Sequence, residues 1–263
     1  MMDEVLNRIF NEDCLVGMDR IPDNSVDAII CDLPYGTTAC KWDSVIPFDK
    51  LWQQYKRVRK DNAAIILFGS EPFSSYLRMS NIKEFRYDWI WIKERGTGFA
   101  RANKQPMRSN EIISVFYQYQ PYYDGKGEKL DKPYRKPLPI YKSDSDRVTS
   151  KNLINGERVY VEYKYKHKDN ILTFARDRKE HYHPTQKPVD LIRYLIRTYT
   201  NEGDIILDNC MGSGTTAIAA MREKRNYIGF ELDSDYFETC IRRIEEEKEN
   251  QEIEERNTEN QLF

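Results

Sequence analysis

The sequence predicts an α/β fold around a largely parallel sheet. One observation is a set of short, nearly continuous apolar runs, the pattern of strands buried on both faces. A second is a strand, glycine turn, helix, strand order near the C-terminal end, which reads as a βαβ unit. A third is size: 263 residues, 40% of them hydrophobic, suffice for one full α/β core with a smaller lobe.

In residues 1–117, VDAIICD (26–32) and NAAIILFGS (62–70) are such runs, and the segment between them, about residues 47–60, has helical spacing. DWIWIK (88–93) and EIISVFY (111–117) read as two further strands. A second core region spans 183–245. There PVDLIRYLIRTYT (188–200) opens with Pro at a first helical position, and Leu191, Ile192, Leu195, Ile196 and Tyr199 follow helical spacing. NEG is a stop signal and DIILD (204–208) is a strand. GSGTTAIAAMREK (212–224) is a turn leading into a helix, and NYIGFE (226–231) is the next strand.

Residues 118–182 are unlike either region. They carry 15 Lys/Arg against 10 Asp/Glu, interleaved with Tyr122, Tyr123, Tyr134, Tyr141, Tyr160, Tyr163, Tyr165 and Tyr182. Composition leaves two readings open here. One is a solvated insertion; the other is a nucleic-acid surface, with basic groups for phosphates and rings for stacking. The acidic, apolar-poor tail 246–263 reads as a frayed helix or disordered end.

Net charge is only −2, so contact with nucleic acid has to come from local charge segregation. No apolar run reaches the ~20 residues of a membrane helix, and MMDEVLNRIF carries acids where a signal peptide carries bases. A soluble, cytoplasmic protein is expected. The five cysteines include no CxxC pair, which argues against a zinc site or a disulfide framework. His181 and His183 read as a solvated pair, and no metal is expected.

Two motifs carry chemistry. DNCMGSGTT (208–216) follows the strand DIILD. Gly212 and Gly214 allow close backbone approach to a ligand, and the amides of the following helix suit an anionic group. No Lys follows as a P-loop requires, and GxGxxG is absent. Glu231 ends the next strand, where an acid can bind both hydroxyls of a ribose. Together these point to a nucleoside-containing cofactor. The second motif is DLPYG (32–36), at the end of VDAIICD. The Leu33–Pro34 bond holds Leu33 extended, which can set its carbonyl beside the Asp32 carboxylate, with Tyr35 adding a flat ring. Two acceptors and a ring fit a planar base with an exocyclic amino group.

DLPY resembles the (D/N/S)PPY signature of amino methyltransferases acting on DNA. DNCMGSGTT resembles their DPFxGSGTT, HPTQKPVDLIRYLI (183–196) resembles the HPTQKP segment before the cofactor strand, and NEDCLVGMDRIPDNSVDAIICDLPYG (11–36) resembles GDCLExLxxLPDxSVDLIxTDPPYG. The motif order, catalytic first and cofactor last, is that of the β class, and the resemblance covers about three quarters of the chain. Leu33 replaces the first Pro of the signature, in a role that belongs to a main-chain carbonyl. Asn209, Cys210 and Met211 replace Pro-Phe-x, so an aromatic ring near the cofactor is missing.

The resemblance implies a Rossmann-like seven-stranded methyltransferase sheet with helices on both faces and circularly permuted motifs, in which the ends of the strands carrying Asp208 and Asp32 lie side by side at a topological switch point. It implies S-adenosylmethionine as cofactor and double-stranded DNA with a flipped target base as partner. Residues 1–117 would be the catalytic half and 183–245 the cofactor half, with 118–182 as an inserted target-recognition region. Asp208, Gly212, Ser213, Gly214, Thr215 and Thr216 would hold the methionine end of the cofactor, with Lys187 near its carboxylate. Glu231 would take the ribose hydroxyls and Asp13 the cofactor's adenine amino group. Asp32, Leu33, Pro34 and Tyr35 would be catalytic, acting on N6 of adenine. The rivals are cytosine-N4 transfer, an RNA methyltransferase and a catalytically silent DNA-binding protein. Dimers are frequent in this class; the recognition site and any restriction partner are not written in the sequence.

Overall fold

The apolar runs of the sequence become the middle of one sheet. The computed structural model describes residues 2–36, 43–137, 153–154, 157–158, 160–175 and 186–260. In chain order these hold β1 (Arg8–Phe10), α1 (Cys14–Gly17), β2 (Val26–Cys31), α2 (Phe48–Val58), β3 (Arg59–Gly69), α3 (Phe73–Ser80), β4 (Phe85–Thr97) and β5 (Arg108–Phe116). There follow β6 (Lys126–Pro137), β7 (Leu153–Ile154), β8 (Glu157–Arg158), β9 (Tyr160–His167), β10 (Ile171–Thr173), α4 (Val189–Tyr199), β11 (Ile205–Asp208), α5 (Thr215–Arg222), β12 (Asn226–Phe230) and α6 (Ser234–Asn260). Tyr141, Tyr182, His181, His183 and Cys40 lie outside the described residues.

The main sheet has the order β1-β12-β11-β2-β3-β5-β4-β10. All neighbouring pairs are parallel except those that β5 makes with β3 and β4. This is the expected α/β sheet with eight strands, one more than the resemblance implies. The two edge strands, β1 and β10, are three residues each, too short to show a period.

Alternation along the strands sends side chains into two cores. Ile29, Cys31, Ile65 and Leu67 meet Leu51, Trp52, Tyr55 and Val58 of α2 and Leu77 of α3 on one face. Ile30, Ala64, Ile66 and Phe68 join the core of the other face, with Leu191, Leu195 and Ile196 of α4, Ile218 of α5 and Ile244 of α6. Helices therefore cover both faces, and each fully buried large apolar side chain contributes about 1.5–3 kcal/mol. Pro188 stands one residue before α4 rather than in its first turn.

The tail that the sequence reads as a frayed helix or disordered end is helical, with α6 running on to Asn260. Its first part is anchored by Glu247, whose two oxygens accept from Arg222 at 2.9 and 2.6 Å. No helix among the described residues is long and apolar enough to cross a membrane.

Two compact units emerge: one formed by the chain up to Asp124 and from Asn170 onward, the other by Gly125–Asp169. The second is built on the antiparallel pair β6–β9, with a small β7–β8 pair. On one face of the β6–β9 ribbon, register and alternation bring Lys126, Lys129, Tyr134 and Lys136 together with Tyr163, Tyr165 and His167. Tyr134 stacks on Tyr163 at 5.3 Å between centroids, and Lys136 lies over the Tyr134 ring at 5.1 Å.

Candidate active site

Strand order alone makes the site. β2 leads on to β3 on one side and β11 to β12 on the other, while β2 and β11 are themselves neighbours, with Leu207 opposite Ile29. The carboxyl ends of β2 and β11 thus meet at a topological switch point, where open α/β sheets bind ligands. Asp32 and Asp208 stand at those two ends. A cavity of about 390 Å³ opens there. It is lined by Asp13, Asp32, Leu33, Pro34, Tyr35, Lys187, Asp208, Gly212, Ser213, Thr215, Thr216 and Glu231. Of the candidate site residues only Gly214 is not among its lining.

Gly214 has a packing task instead. Its φ is +87° as it opens α5, and a Cβ there would stand 2.7 Å from Cys240 Sγ on α6. Arg243 of α6 donates to the Ser213 carbonyl at 2.6 Å, so the glycine turn is clamped from behind. At Gly212, φ is +55° and a Cβ would meet nothing within 4 Å, so the cavity side of the turn stays open.

The acids beside the glycine turn are held in place by hydrogen bonds. Asp208, buried, accepts from Thr216 Oγ1 at 2.6 Å and from the Cys210 amide at 3.0 Å. Burial nonetheless pushes its carboxyl up to about 6. Glu231 accepts from the amides of Gly212 (2.6 Å) and Asp233 (2.9 Å), and burial raises it as well. Asp13 is the N-cap of α1, accepting from the Leu15 amide at 2.8 Å through Oδ1. Asn209, at the position of the family's proline, is buried and turned inward; its Oδ1 accepts from Tyr55 at 2.5 Å. Cys210, in place of the family's aromatic residue, is half-buried beside Cys14 and Cys31.

At the other end, Leu33 is only 3% exposed, belongs to the core under β2, and is among the residues that line the cavity. Tyr35 donates to Asp32 Oδ1 at 2.5 Å, and its ring lies tilted against Phe73 at 4.9 Å. Lys187 bonds Asp32 Oδ2, and its Nζ is 3.2 Å from Glu111 Oε2 and 5.2 Å from the Phe68 ring centroid. The resemblance implies a place for Lys187 near the cofactor's carboxylate; in the structure Lys187 lines the shared cavity and pairs with Asp32 of the DLPY motif. Burial raises the Asp32 carboxyl, partly countered by Lys187.

Glu111 and its partner Lys93 were missed in the sequence. Their signal was a charge at the end of a largely apolar run, Lys93 closing DWIWIK and Glu111 opening EIISVFY.

Residues 26–242 match the family model described as DNA methylase, the N6/N4 methyltransferases. The type II methyltransferase M1.MboII of Moraxella bovis is 27% identical over 252 residues, 88% of this chain and 94% of the relative. The DNA adenine methyltransferase YhdJ of Escherichia coli K12 is 25% identical, covering 90% of this chain and 82% of the relative. Among solved structures, the M1.HpyAVI complex with S-adenosylmethionine superposes with TM-score 0.59 at 22% identity, covering 90% of this chain and 98% of the other. The cytosine-N4-specific PvuII DNA methyltransferase superposes with TM-score 0.63 at 15% identity, covering 89% and 84%. With both motifs at one switch point and the family model spanning most of its length, the chain belongs to the N6/N4 DNA methylases, a family of S-adenosylmethionine-dependent methyltransferases.

Proposed function

We propose that this DNA methyltransferase acts on N6 of adenine, in a duplex whose target base is flipped into the cavity. The observation that carries the reading is the meeting of Asp32 and Leu33 with the glycine turn and Glu231 in one cavity. Asp at the head of the motif favours adenine, where cytosine-N4 enzymes usually carry Ser, and a named relative, YhdJ, is an adenine methyltransferase.

The residues present suit the cofactor. The start of α5, with Thr215 and Thr216, offers amides for its carboxylate. Two buried carboxylates, Asp208 and Glu231, offer negative charge to a cation and acceptors to ribose hydroxyls. The open space at Gly212 lets a ligand reach the backbone. When bound, S-adenosylmethionine supplies a methyl group made electrophilic by its sulfonium.

The work of this chain is then positioning and electrostatics. The adenine amino group is a poor nucleophile because its lone pair is delocalised into the ring. Asp32 and the Leu33 carbonyl accept its two hydrogens and favour a pyramidal nitrogen. Both Asp32 oxygens are already engaged, yet each carboxylate oxygen can accept more than one donor. The Tyr35 ring, backed on Phe73, supports the flipped base by stacking, and the amino proton passes to Asp32. In the same reading the 118–182 segment recognises the target, with the ring-and-lysine face of β6–β9 as its DNA surface. The type II relatives suggest a role beside a restriction enzyme.

The test is methylation of mixed-sequence duplex DNA with isotopically labelled S-adenosylmethionine, followed by nucleoside mass spectrometry. N6-methyladenine is expected from the wild type and none from Asp32→Ala, which still binds cofactor. Label on cytosine N4 would move the reading to the other base. A wild-type rate from Asp32→Ala would reduce DLPY to a turn.

A further inference from the structure

Asp32 ends a chain of ion pairs that runs through the protein interior. Lys93 on β4 bonds Glu111 on β5; Glu111 lies 3.2 Å from Lys187; Lys187 bonds Asp32. The side chains of Lys93, Glu111 and Lys187 retain only 8, 12 and 7% of their exposure, and Asp32 27%. Charges alternate along the chain and cancel. A buried ionic array of this kind is weak as a source of stability, since well-packed apolar residues often do as well or better. Its position beside the reacting carboxylate gives it another use.

Resting on the methyl-transfer reading, we propose that Glu111 and Lys187 are positioning residues for Asp32. Glu111 anchors the Lys187 ammonium on β5, and Lys187 in turn holds Asp32 ionised, with Oδ2 fixed and Oδ1 directed to Tyr35 and the cavity. As the amino nitrogen takes the methyl, the carbon–sulfur electron pair stays on sulfur. One amino proton is released, with Asp32 its first acceptor and solvent its last. Both the orientation and the charge of Asp32 then set the rate.

The groups facing Asp32 are Lys187 from the segment before α4, Glu111 from β5, Asp208 from β11, and Tyr35 and Cys31 from its own strand end. Burial raises its carboxyl most, Lys187 pulls it down, Glu111 pushes it up, and the Tyr35 hydroxyl lowers it. Neutralising Glu111 and neutralising Lys187 should therefore move Asp32 in opposite directions.

The experiment titrates the protein carrying 13C-labelled aspartate carboxyls, with the Asp32 resonance assigned through Asp32→Asn, alongside single-turnover methylation against pH. Glu111→Gln should lower the Asp32 midpoint and shift the acid limb of the rate to lower pH. Lys187→Gln should raise both and slow transfer about tenfold or more at neutral pH. Lys187→Arg should return the acid limb toward wild type. Glu111→Gln alone carries the test if Lys187→Gln fails to fold. An unmoved Asp32 midpoint in a folded variant overturns the proposal. So do opposed midpoints with unchanged rates, or equal losses of rate with no shift of the acid limb. If wild type methylates no DNA, the reading under Proposed function falls, while opposed midpoints still uphold the control of Asp32 by its two neighbours.

Discussion

Asp208 should make the protein less stable at neutral pH than it is with an amide at that position. The residue is 4% exposed, and burial lifts its carboxyl from an ordinary 3.8 to about 6 despite hydrogen bonds from Thr216 and Cys210. Because the folded value lies above the unfolded one, the native state binds the extra proton between those values. Its contribution is favourable below about 4 and is lost as pH rises through about 6. A gap of about 2 between the two values corresponds to about 3 kcal/mol of ionisation cost at pH 8. In Asp208→Asn the amide oxygen can keep the Cys210 bond and the amide nitrogen can donate to a rotated Thr216 hydroxyl, which leaves the weakly donating Cys31 thiol as the one partner that has to share an acceptor. The value of about 6 already includes the favourable bonds from Thr216 and Cys210, so about 3 kcal/mol is the upper bound of the gain. The variant should be about 1–3 kcal/mol more stable at pH 8, at about 2–4 °C in Tm per kcal/mol for a chain of this size. Urea unfolding from pH 4 to 8 measures it, and the advantage should shrink as pH falls from 6 to 4. Asp208→Asn should also bind S-adenosylmethionine more weakly, an exchange of stability for function. A variant less stable at pH 8, or one whose advantage does not vary with pH, would refute the reasoning.

Three further outcomes follow from the geometry. Gly214→Ala combines a φ of +87° with a 2.7 Å approach to Cys240 Sγ; strain and overpacking should cost about 2–4 kcal/mol, and Cys240→Ala should recover part of that Tm loss. Glu231→Ala should weaken S-adenosylmethionine in calorimetry by about 1.5–3 kcal/mol, tenfold or more, and an unchanged affinity would remove Glu231 from the ribose. Lys129→Glu with Lys136→Glu on the ring face of β6–β9 should weaken DNA binding and flatten its salt dependence while sparing cofactor affinity. Lys164 and Lys166 pair with Glu162 and Glu128, so charge reversal there should cost less.

The core strands and the cofactor turn were legible because each is a local property. VDAIICD, NAAIILFGS and DIILD must be apolar throughout to be buried on two faces, and a glycine turn between strand and helix declares itself by residue type. DLPY and Glu231 were legible for the same reason: their chemistry lies in residue identity and in their place at a strand end. Strand order is not local. Nothing within residues 26–32 or 204–208 says that the two strands are neighbours; the two cores and the parallel crossovers decide it, and only that adjacency builds the cavity. The same holds for Lys93, Glu111 and Lys187, whose partners come from separate strands and a pre-helical segment. It holds too for Asn209, which lines the cavity and also accepts from Tyr55, and for Gly214, which packs against Cys240. The sequence by itself determined the core strands, the helices beside them and which residue types stand at the strand ends. Which ends meet was implied by the family resemblance and by no local pattern, and which charges share buried ground was decided by tertiary structure alone, because pairing energies between distant segments leave no period in either one.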